Sequence, residues 1–220
     1  MTAESALGFV LNMGVRSLLI DTADSALVVA FARGADVAAE VRDTTRRAQH
    51  VLECVDNVLD EANVQPADID RVIVGIGPGG FTGLRIGMVT ARGIAAARSL
   101  PIIGVSSIAA IALPAAIEHP GLRVCARMDA KRSEWFEAVY QADADGSWQD
   151  VSPLRVVPAG DDASAVPDDA DLVVCGPPTA EGMLHAARQA PAAEPHMVLP
   201  EYGRQPDAKP GAWQGSGSRA

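Results

Sequence analysis

The chain has 220 residues, enough to bury a core as one large domain or as two small ones. Its formal net charge of −10 argues against a protein that binds nucleic acid by itself, since such proteins normally present a basic face. Three cysteines far apart in the chain favour buried thiols over a disulfide framework, and hence a reducing, cytoplasmic location: Cys54, Cys125 and Cys175.

The first residues lack the features of a targeting segment. Residues 1–12 include four large apolar side chains, but Glu4 stands where a signal peptide carries positive charge. The apolar stretch is also too short to cross a membrane, so we expect no membrane association.

The first half of the chain alternates apolar strands with polar turns and helices. A polar turn at Asp21–Asp24 separates two apolar runs, which predicts a β-hairpin with Asp21 at the end of its first arm. Further on, apolar residues recur at helical spacing behind a threonine cap. The predicted elements are strands at Leu18–Ile20 and Ala26–Phe31, a candidate third strand at Val37–Val41, a helix from Thr44 or Thr45 to Ala62, and a strand at Val72–Ile76.

The segment Gly75–Gly87 interrupts this pattern and organises the rest of the prediction. Gly77-Pro78-Gly79-Gly80 ends the strand, because glycine and proline favour backbone angles outside regular strand or helix. A helix is predicted from Thr82 to Leu100, where Pro101 stops it. Its small residues fall four apart on one face, which would let another helix approach closely: Gly83, Gly87, Ala91 and Ala95. The pattern indicates a surface that binds a partner rather than a catalytic site.

Two phosphate-binding motifs resemble this loop but do not fit it. Gly75, Gly77 and Gly80 match G-x-G-x-x-G, yet no Asp or Glu lies between residues 70 and 118 to hold a ribose. The loop G-x-x-x-x-G-K-[ST] is excluded, since no lysine occurs between residues 1 and 130. The alternative that spacing alone favours is a tight strand-to-helix turn packed against another surface.

The second half repeats the plan of the first. A strand, an acidic turn and a return strand are followed downstream by a strand, a Gly-Pro turn and a helix. This recurrence indicates an internal duplication. The predicted elements are a strand at Ile102–Val105, a helix from Ser106 or Ser107 to Ile117, strands at Leu122–Met128 and Trp135–Tyr140 around the turn Asp129–Glu134, a loop at Val156–Asp171, a strand within Asp171–Pro178 and a helix at Thr179–Gln189.

Acidic turns at the strand ends supply the candidate ligand-binding residues. Two α/β lobes of one plan resemble the actin-like ATPase fold, in which the first acidic turn faces phosphates and metal. Asp21 with Thr22 could position Mg²⁺ or phosphate, and an ordinary hairpin turn explains them equally well. Asp129, beside Lys131 and Arg132, could form the equivalent second turn, although a solvated charge cluster is favoured.

Other candidate residues stand in less specific contexts. The histidines lack the spacing of a metal pair, so no metal site is predicted: His50, His119, His185 and His196. Phe81, beside the glycines, belongs either to the core or to a partner surface. Ser106 and Ser107 lack the glycine of a nucleophile elbow, so a helix cap is favoured.

Four segments together resemble the bacterial TsaB (YeaZ) family, and a closing segment, Pro200–Asp207, is similar to that family's end. The four are Leu19–Thr22, Gly77–Gly87, Ile103–Ser107 and Met128–Glu134. The resemblance implies an α/β, actin-like ATPase (ASKHA, RNase H-like) fold of two lobes, the second reduced. The expected divisions are a leader at 1–12 outside the resemblance, an N-terminal lobe with the partner-binding helices at 13–104, a smaller C-terminal lobe at 105–207 and a disordered tail at 208–220.

The resemblance also implies a function in tRNA modification. Members are the non-catalytic subunit in forming N6-threonylcarbamoyladenosine (t6A) on tRNAs that read codons beginning with A. The implied partners are the transferase TsaD, the ATPase TsaE, and a second copy of the chain when TsaD is absent, with tRNA contacted only through the complex. No cofactor is expected, apart from weak ATP or ADP binding at the partner interface. The alternative is an actin-like enzyme that binds and hydrolyses ATP by itself, with Asp21 and Asp129 on the metal.

Two departures bear on this expectation. The metal-binding His-x-x-x-His pair of TsaD would fall on Ser107 and Ile111, and neither side chain replaces an imidazole ligand. We therefore expect no catalytic residue and no metal ligand in this chain. Gly80 stands where the family usually has serine. The expected partner interface comprises Gly77, Pro78, Gly79, Gly80, Phe81, Thr82, Gly83, Arg85, Gly87, Thr90, Ala91 and Ala95, with His50 and Cys54 of the preceding helix.

Overall fold

Two mixed β-sheets and four α-helices make up the part of the chain that this computed structural model describes, residues 14–45, 48–160 and 164–203. The strands are β1 Arg16–Asp21, β2 Leu27–Arg33, β3 Asp36–Asp43, β4 Arg71–Gly77, β5 Ile102–Ser106, β6 Arg123–Lys131, β7 Glu134–Ala142, β8 Trp148–Pro158, β9 Leu172–Cys175 and β10 Ala192–Ala193. The α-helices are α1 Val51–Glu61, α2 Phe81–Arg98, α3 Ala109–Glu118 and α4 Ala180–Ala187, and short 3-10 turns lie at Ala48–His50, Pro66–Asp68 and Pro195–Met197.

The two sheets share one strand order. The first sheet runs β10-β5-β4-β1-β2-β3 and the second runs β8-β7-β6-β9. In each, an antiparallel hairpin is followed by a third antiparallel strand, and a later strand pairs parallel to the first, as β4 does with β1 and β9 with β6. The order β3-β2-β1-β4 therefore recurs as β8-β7-β6-β9, and the repeated plan predicted from the sequence is present in the topology.

The same arginine–aspartate contact closes each repeat. The backbone nitrogen of Arg16 donates to Asp70 Oδ2 at 2.8 Å, and its guanidinium Nη2 lies 3.0 Å from Oδ1. Arg123 makes the matching contacts with Asp171, at 2.9 and 2.8 Å. Both pairs are partly exposed, so solvent screening keeps their contribution to stability small, and their main effect is to fix the register of the two parallel strands.

The central core lies between the two sheets. In β1, Leu19 faces the second sheet, while Leu18 and Ile20 face the opposite side, as the two-residue period of a strand requires. Helices α3 and α4 fill the space between the sheets, and α1 and α2 cover the outer face of the first sheet. The outer face of the second sheet carries a small cluster of Cys125, Val139 and Ala170, and no helix covers it among the described residues between β8 and β9.

Two predictions about elements need correction, and two others lie outside the described residues. Helix α1 begins at Val51 behind a 3-10 turn, not at a threonine cap. Strand β8 was not predicted, and it includes the first residues of the predicted loop Val156–Asp171. It is an edge strand whose half-exposed residues and two prolines obscure the strand pattern. The leader 1–12 and the tail 208–220 lie outside the described residues.

No helix within the three described ranges combines the length and the apolar character that a membrane crossing requires.

The contact between α3 and α4 gives a stability prediction. A Cβ at Gly182 would lie 1.9 Å from the carbonyl oxygen of Ala110, a backbone atom that cannot move aside cheaply. Gly182→Ala should lower the free energy of unfolding by about 1–3 kcal/mol. The matched control is Gly93→Ala on α2, where a Cβ meets no atom within 4 Å. This control should gain about 0.5–1 kcal/mol from helix propensity. Urea titration of both variants measures the difference, and equal effects would contradict the packing described here.

Candidate functional site

The glycine loop between β4 and α2 packs against the β1–β2 turn. Gly80, the N-cap of α2, donates its backbone N–H to the carbonyl of Ala23 at 2.7 Å. A Cβ at Gly79 would lie 2.2 Å from the same carbonyl oxygen. The loop therefore needs glycine at position 79 because a backbone segment of the chain lies directly against it. This agrees with the turn-against-a-surface alternative that the spacing favoured.

The small-residue face of α2 is also covered by the chain itself. A Cβ at Gly83 would lie 2.4 Å from the carbonyl oxygen of Thr22, and one at Gly87 would lie 2.1 Å from Thr22 Oγ1. Thr22 donates its hydroxyl to the carbonyl of Gly83 at 2.8 Å. Ala91 and Ala95 are fully buried. The prediction that this face lies open for a second polypeptide is therefore wrong for Gly87, Ala91 and Ala95.

Cys54 needs the same correction, because it is fully buried in the core beneath α1. The spacing correctly indicated that a backbone approaches α2 closely. It could not show that this backbone belongs to the chain's own hairpin.

The first turn of α2 presents the exposed part of the predicted interface. Phe81 is 51% exposed, and Gly80, Thr82 and Arg85 are also exposed. The guanidinium carbon of Arg85 lies 3.7 Å from the centre of the Phe81 ring, within cation–π distance. Arg85 Nε donates to the hydroxyl of Tyr202 at 2.9 Å, and the two aromatic rings lie 5.0 Å apart. We call Phe81, Arg85 and Tyr202 the aromatic–arginine cluster.

The remaining predicted interface residues have mixed environments. Gly77 and Pro78 are buried, Thr90 is half-buried, and His50 is half-buried beside α1 with its ring nitrogen 3.2 Å from Glu53. Whether any of these residues contacts a partner stays a prediction.

Asp21 is the centre of a buried hydrogen-bond group. Its Oδ2 accepts from Ser107 Oγ at 2.7 Å, and its Oδ1 accepts from the backbone of Ala23 at 2.8 Å. Gly77 donates its N–H to Ser107 Oγ at 3.2 Å, and Ser107 donates its own N–H to the Gly77 carbonyl at 2.7 Å. A Cβ at Gly75 would lie 1.8 Å from Asp21 Oδ2. The group thus ties together the ends of β1, β4 and β5.

This enclosure argues against a nucleotide contact by Asp21 in the chain alone, whereas Thr22 belongs to the lining of a cleft, so whether either residue faces a nucleotide stays a prediction. Asp21 is 1% exposed and Thr22 is 4% exposed, and both side chains bond within the chain. Burial raises the pKa of Asp21 to about 6, although the hydrogen bonds from Ser107 and Ala23 oppose the rise. A helix cap was expected at Ser106 or Ser107; Ser107 instead bonds to Asp21, whereas Ser106 Oγ accepts from the backbone N–H of Ala109, the first residue of α3, at 3.4 Å.

Asp129 does not occupy the position equivalent to Asp21. When the two arginine–aspartate contacts are aligned, Asp21 lies five residues after Arg16, and Met128 lies five residues after Arg123. Met128 faces the central core, so Asp129, one residue later, faces the opposite side. Asp129 is exposed and pairs with Lys131 Nζ at 2.6 Å. The β6–β7 turn is thus equivalent to the β1–β2 turn in topology, but Asp129 does not match Asp21 in position, and its side chain belongs to an exposed charge cluster with Lys131.

Within the described ranges, no three His, Cys, Asp or Glu side chains are grouped as a metal ion would need.

One further feature was not found from the sequence. A cleft of about 410 Å³ opens between the β1–β2 turn and the first turn of α2, and its polar lining includes Asp24, Ser25, Thr45, Gln49 and Thr82. These residues lie in separate segments, so no sequence spacing could have indicated the cleft.

The buried carboxyl group gives a pH prediction. The pKa of Asp21 is about 6 in the folded chain, above its ordinary value of 3.8. The folded chain therefore binds the Asp21 proton more tightly than the unfolded chain does, and this stabilises the fold. The stabilisation is complete below pH 3.8 and is lost as the pH rises through about 6. Relative to Asp21→Asn, which does not titrate, the natural chain should lose on the order of 3 kcal/mol of unfolding free energy between about pH 4 and about pH 7.5. Ser107→Ala removes a bond to the carboxylate, so it should steepen this loss. Urea titrations across this pH range test both, and parallel curves for the natural chain and Asp21→Asn would contradict the assignment.

Known proteins resemble the chain in sequence and in structure. The family model described as TsaD, tRNA N6-adenosine threonylcarbamoyltransferase, matches residues 43–152. The tRNA threonylcarbamoyladenosine biosynthesis protein TsaB of Escherichia coli is 38% identical over 135 residues, which cover 61% of this chain and 58% of that protein. The uncharacterized protein Mb3455c of Mycobacterium bovis is 33% identical over 215 residues, covering 88% of this chain and 93% of that protein.

A solved structure of YeaZ from Pseudomonas aeruginosa superposes with a TM-score of 0.69 at 28% identity, covering 85% of this chain and 99% of that one. The chain spans little more than half of the E. coli relative. The α/β, two-sheet architecture is the actin-like, RNase H-like fold that was expected. The matched model, the relatives and the shared structure together show that the chain belongs to the TsaB (YeaZ) family.

Proposed function

We propose that the chain is a non-catalytic subunit in the formation of t6A on tRNA, where it pairs with a transferase of the TsaD type. The names of its relatives support the pathway. The observation that carries the non-catalytic part is the environment of Ser107 and Ile111, the two positions on which the family resemblance places the transferase's metal-binding histidines. Ser107 is fully buried and bonded to Asp21, and Ile111 is buried in the central core.

The exposed first turn of α2 is the proposed centre of the partner interface. Phe81 offers a half-exposed aromatic ring, and aromatic residues together with arginine dominate the binding energy of many interfaces. Buried Gly87, Ala91, Ala95 and Cys54 act indirectly, by shaping the helices that carry the surface. The neighbouring α1 exposes Glu53, Asp56 and Asp60, so the facing part of the partner should carry basic residues.

The other partners and the cofactor requirement follow from the same proposal. The net charge of −10 supports contact with tRNA only through the complex. The proposed location of the complex is the cytoplasm. TsaE joins the pair, and a second copy of the chain uses the same face when the transferase is absent. The enclosure of Asp21 supports the absence of a cofactor on the chain alone, with ATP or ADP held weakly, if at all, at the partner interface.

The central test removes the aromatic ring. Phe81→Ala should weaken binding to the transferase at least about tenfold, because a hot-spot aromatic contributes more than about 1.4 kcal/mol. The matched control is Val166→Ala, an equally exposed apolar side chain (52%) in the second lobe, which should leave the affinity unchanged. Calorimetric titration measures both. Unchanged affinity of Phe81→Ala would place the interface elsewhere.

Activity measurements distinguish a non-catalytic subunit from an enzyme that acts by itself. The chain alone should modify no tRNA and should show no binding of Mg-ATP by calorimetry, whereas the chain with the transferase and TsaE should support modification. Modification by the chain alone, or tight binding of Mg-ATP to it, would overturn the non-catalytic role and favour the ATP-hydrolysing alternative.

A further inference from the structure

The closing segment of the described chain, Val198–Gly203, lies across the glycine loop; we call it the strap. Val198 is buried in the core on the outer face of the first sheet. Three residues later, Glu201 donates its backbone N–H to the carbonyl of Ile76 at 2.6 Å. A Cβ at Gly77 would lie 2.1 Å from the carbonyl oxygen of Glu201. The strap therefore packs backbone to backbone against the end of β4.

The next residue of the strap reaches the first turn of α2. The hydroxyl of Tyr202 accepts from Arg85 Nε at 2.9 Å, and its ring lies 5.0 Å from Phe81. A long arginine side chain on a helix surface loses conformational entropy when it is fixed, so it stays mobile unless a partner holds it. Tyr202 holds the nitrogen end of Arg85 while the guanidinium lies over Phe81, so the strap orients both side chains.

The last described residue joins the strap to the second sheet. A Cβ at Gly203 would lie 2.7 Å from the ring of Phe136 and 2.8 Å from Pro78 Cβ. Its φ of +65° also favours glycine. Phe136 belongs to β7, and Pro78 belongs to the glycine loop. The strap thus touches three parts of the molecule within six residues: the end of β4, the first turn of α2 and the second sheet.

We propose that the strap is a positioning element that couples the second sheet to the first turn of α2, and that Tyr202 is a positioning residue acting through Arg85 and Phe81. The contacts of the strap with β4, α2 and β7 are sufficient to support this positioning role. Its consequence for partner binding rests on the proposed function. Since coupling between sites is reciprocal, a partner that holds Phe81 should also stabilise the strap against β7.

Hydrogen exchange of the full chain tests the coupling directly. In Tyr202→Ala, the hydrogen-bonded amides of Gly77, Gly80 and Leu84 should exchange at least tenfold faster, while amides of β6 near Val124 remain unchanged. Tyr202→Phe keeps the ring and should give a smaller effect. The matched control is Leu199→Ala, an exposed strap residue (65%), which should have no effect. Unchanged exchange in the glycine loop, or an equal increase throughout the chain, would overturn the proposal.

Binding to the transferase separates positioning from direct contact. If Tyr202 acts through Phe81, Tyr202→Ala should weaken binding in the natural chain but not in the Phe81→Ala background. The same fold-loss in both backgrounds would mean that Tyr202 contacts the partner, which overturns the positioning role. Altered exchange with unaltered affinity would support the strap and instead refute the proposed interface.

Discussion

The backbone of Thr22 and Ala23 lies closer to the glycine loop and to α2 than any side chain would permit. Positions 79, 83 and 87 each lack the room for one additional carbon atom. Gly79 in the loop, Gly83 and Gly87 on α2, and the tight β1–β2 hairpin therefore form a single packed unit. The direction in which α2 leaves the first sheet, and hence the position of Phe81, depends on this contact.

Beneath that contact, one carboxyl group joins three strand ends. Asp21 accepts hydrogen bonds from a side chain and from the backbone, and these bonds compensate part of the cost of burying it. Ser107 carries the connection onward to Gly77, so the glycine loop is fixed from below as well as from the hairpin side. These hydrogen bonds hold the glycine loop in shape.

Local periodicity was sufficient to predict the hairpin, the loop-to-helix transition and the repeated plan. It failed where a contact joins distant residues. Asp21 and Ser107 are 86 residues apart, and nothing in the spacing of either one indicates the other. The small face of α2 showed that something approaches closely, but a pattern within one helix cannot identify the approaching backbone. Tyr202 lies in a segment without periodicity, so only the fold brings it to Arg85.

The alignment of the two repeats has a consequence for how they diverged. Where the first repeat carries a carboxylate at the end of β1, the second carries the thioether of Met128 at the matching position of β6. A cation bridging the halves would need oxygen donors from both, and thioether sulfur is a poor donor for a hard ion such as Mg²⁺. At this position, packing in the central core takes in the second repeat the place that hydrogen bonding of Asp21 has in the first.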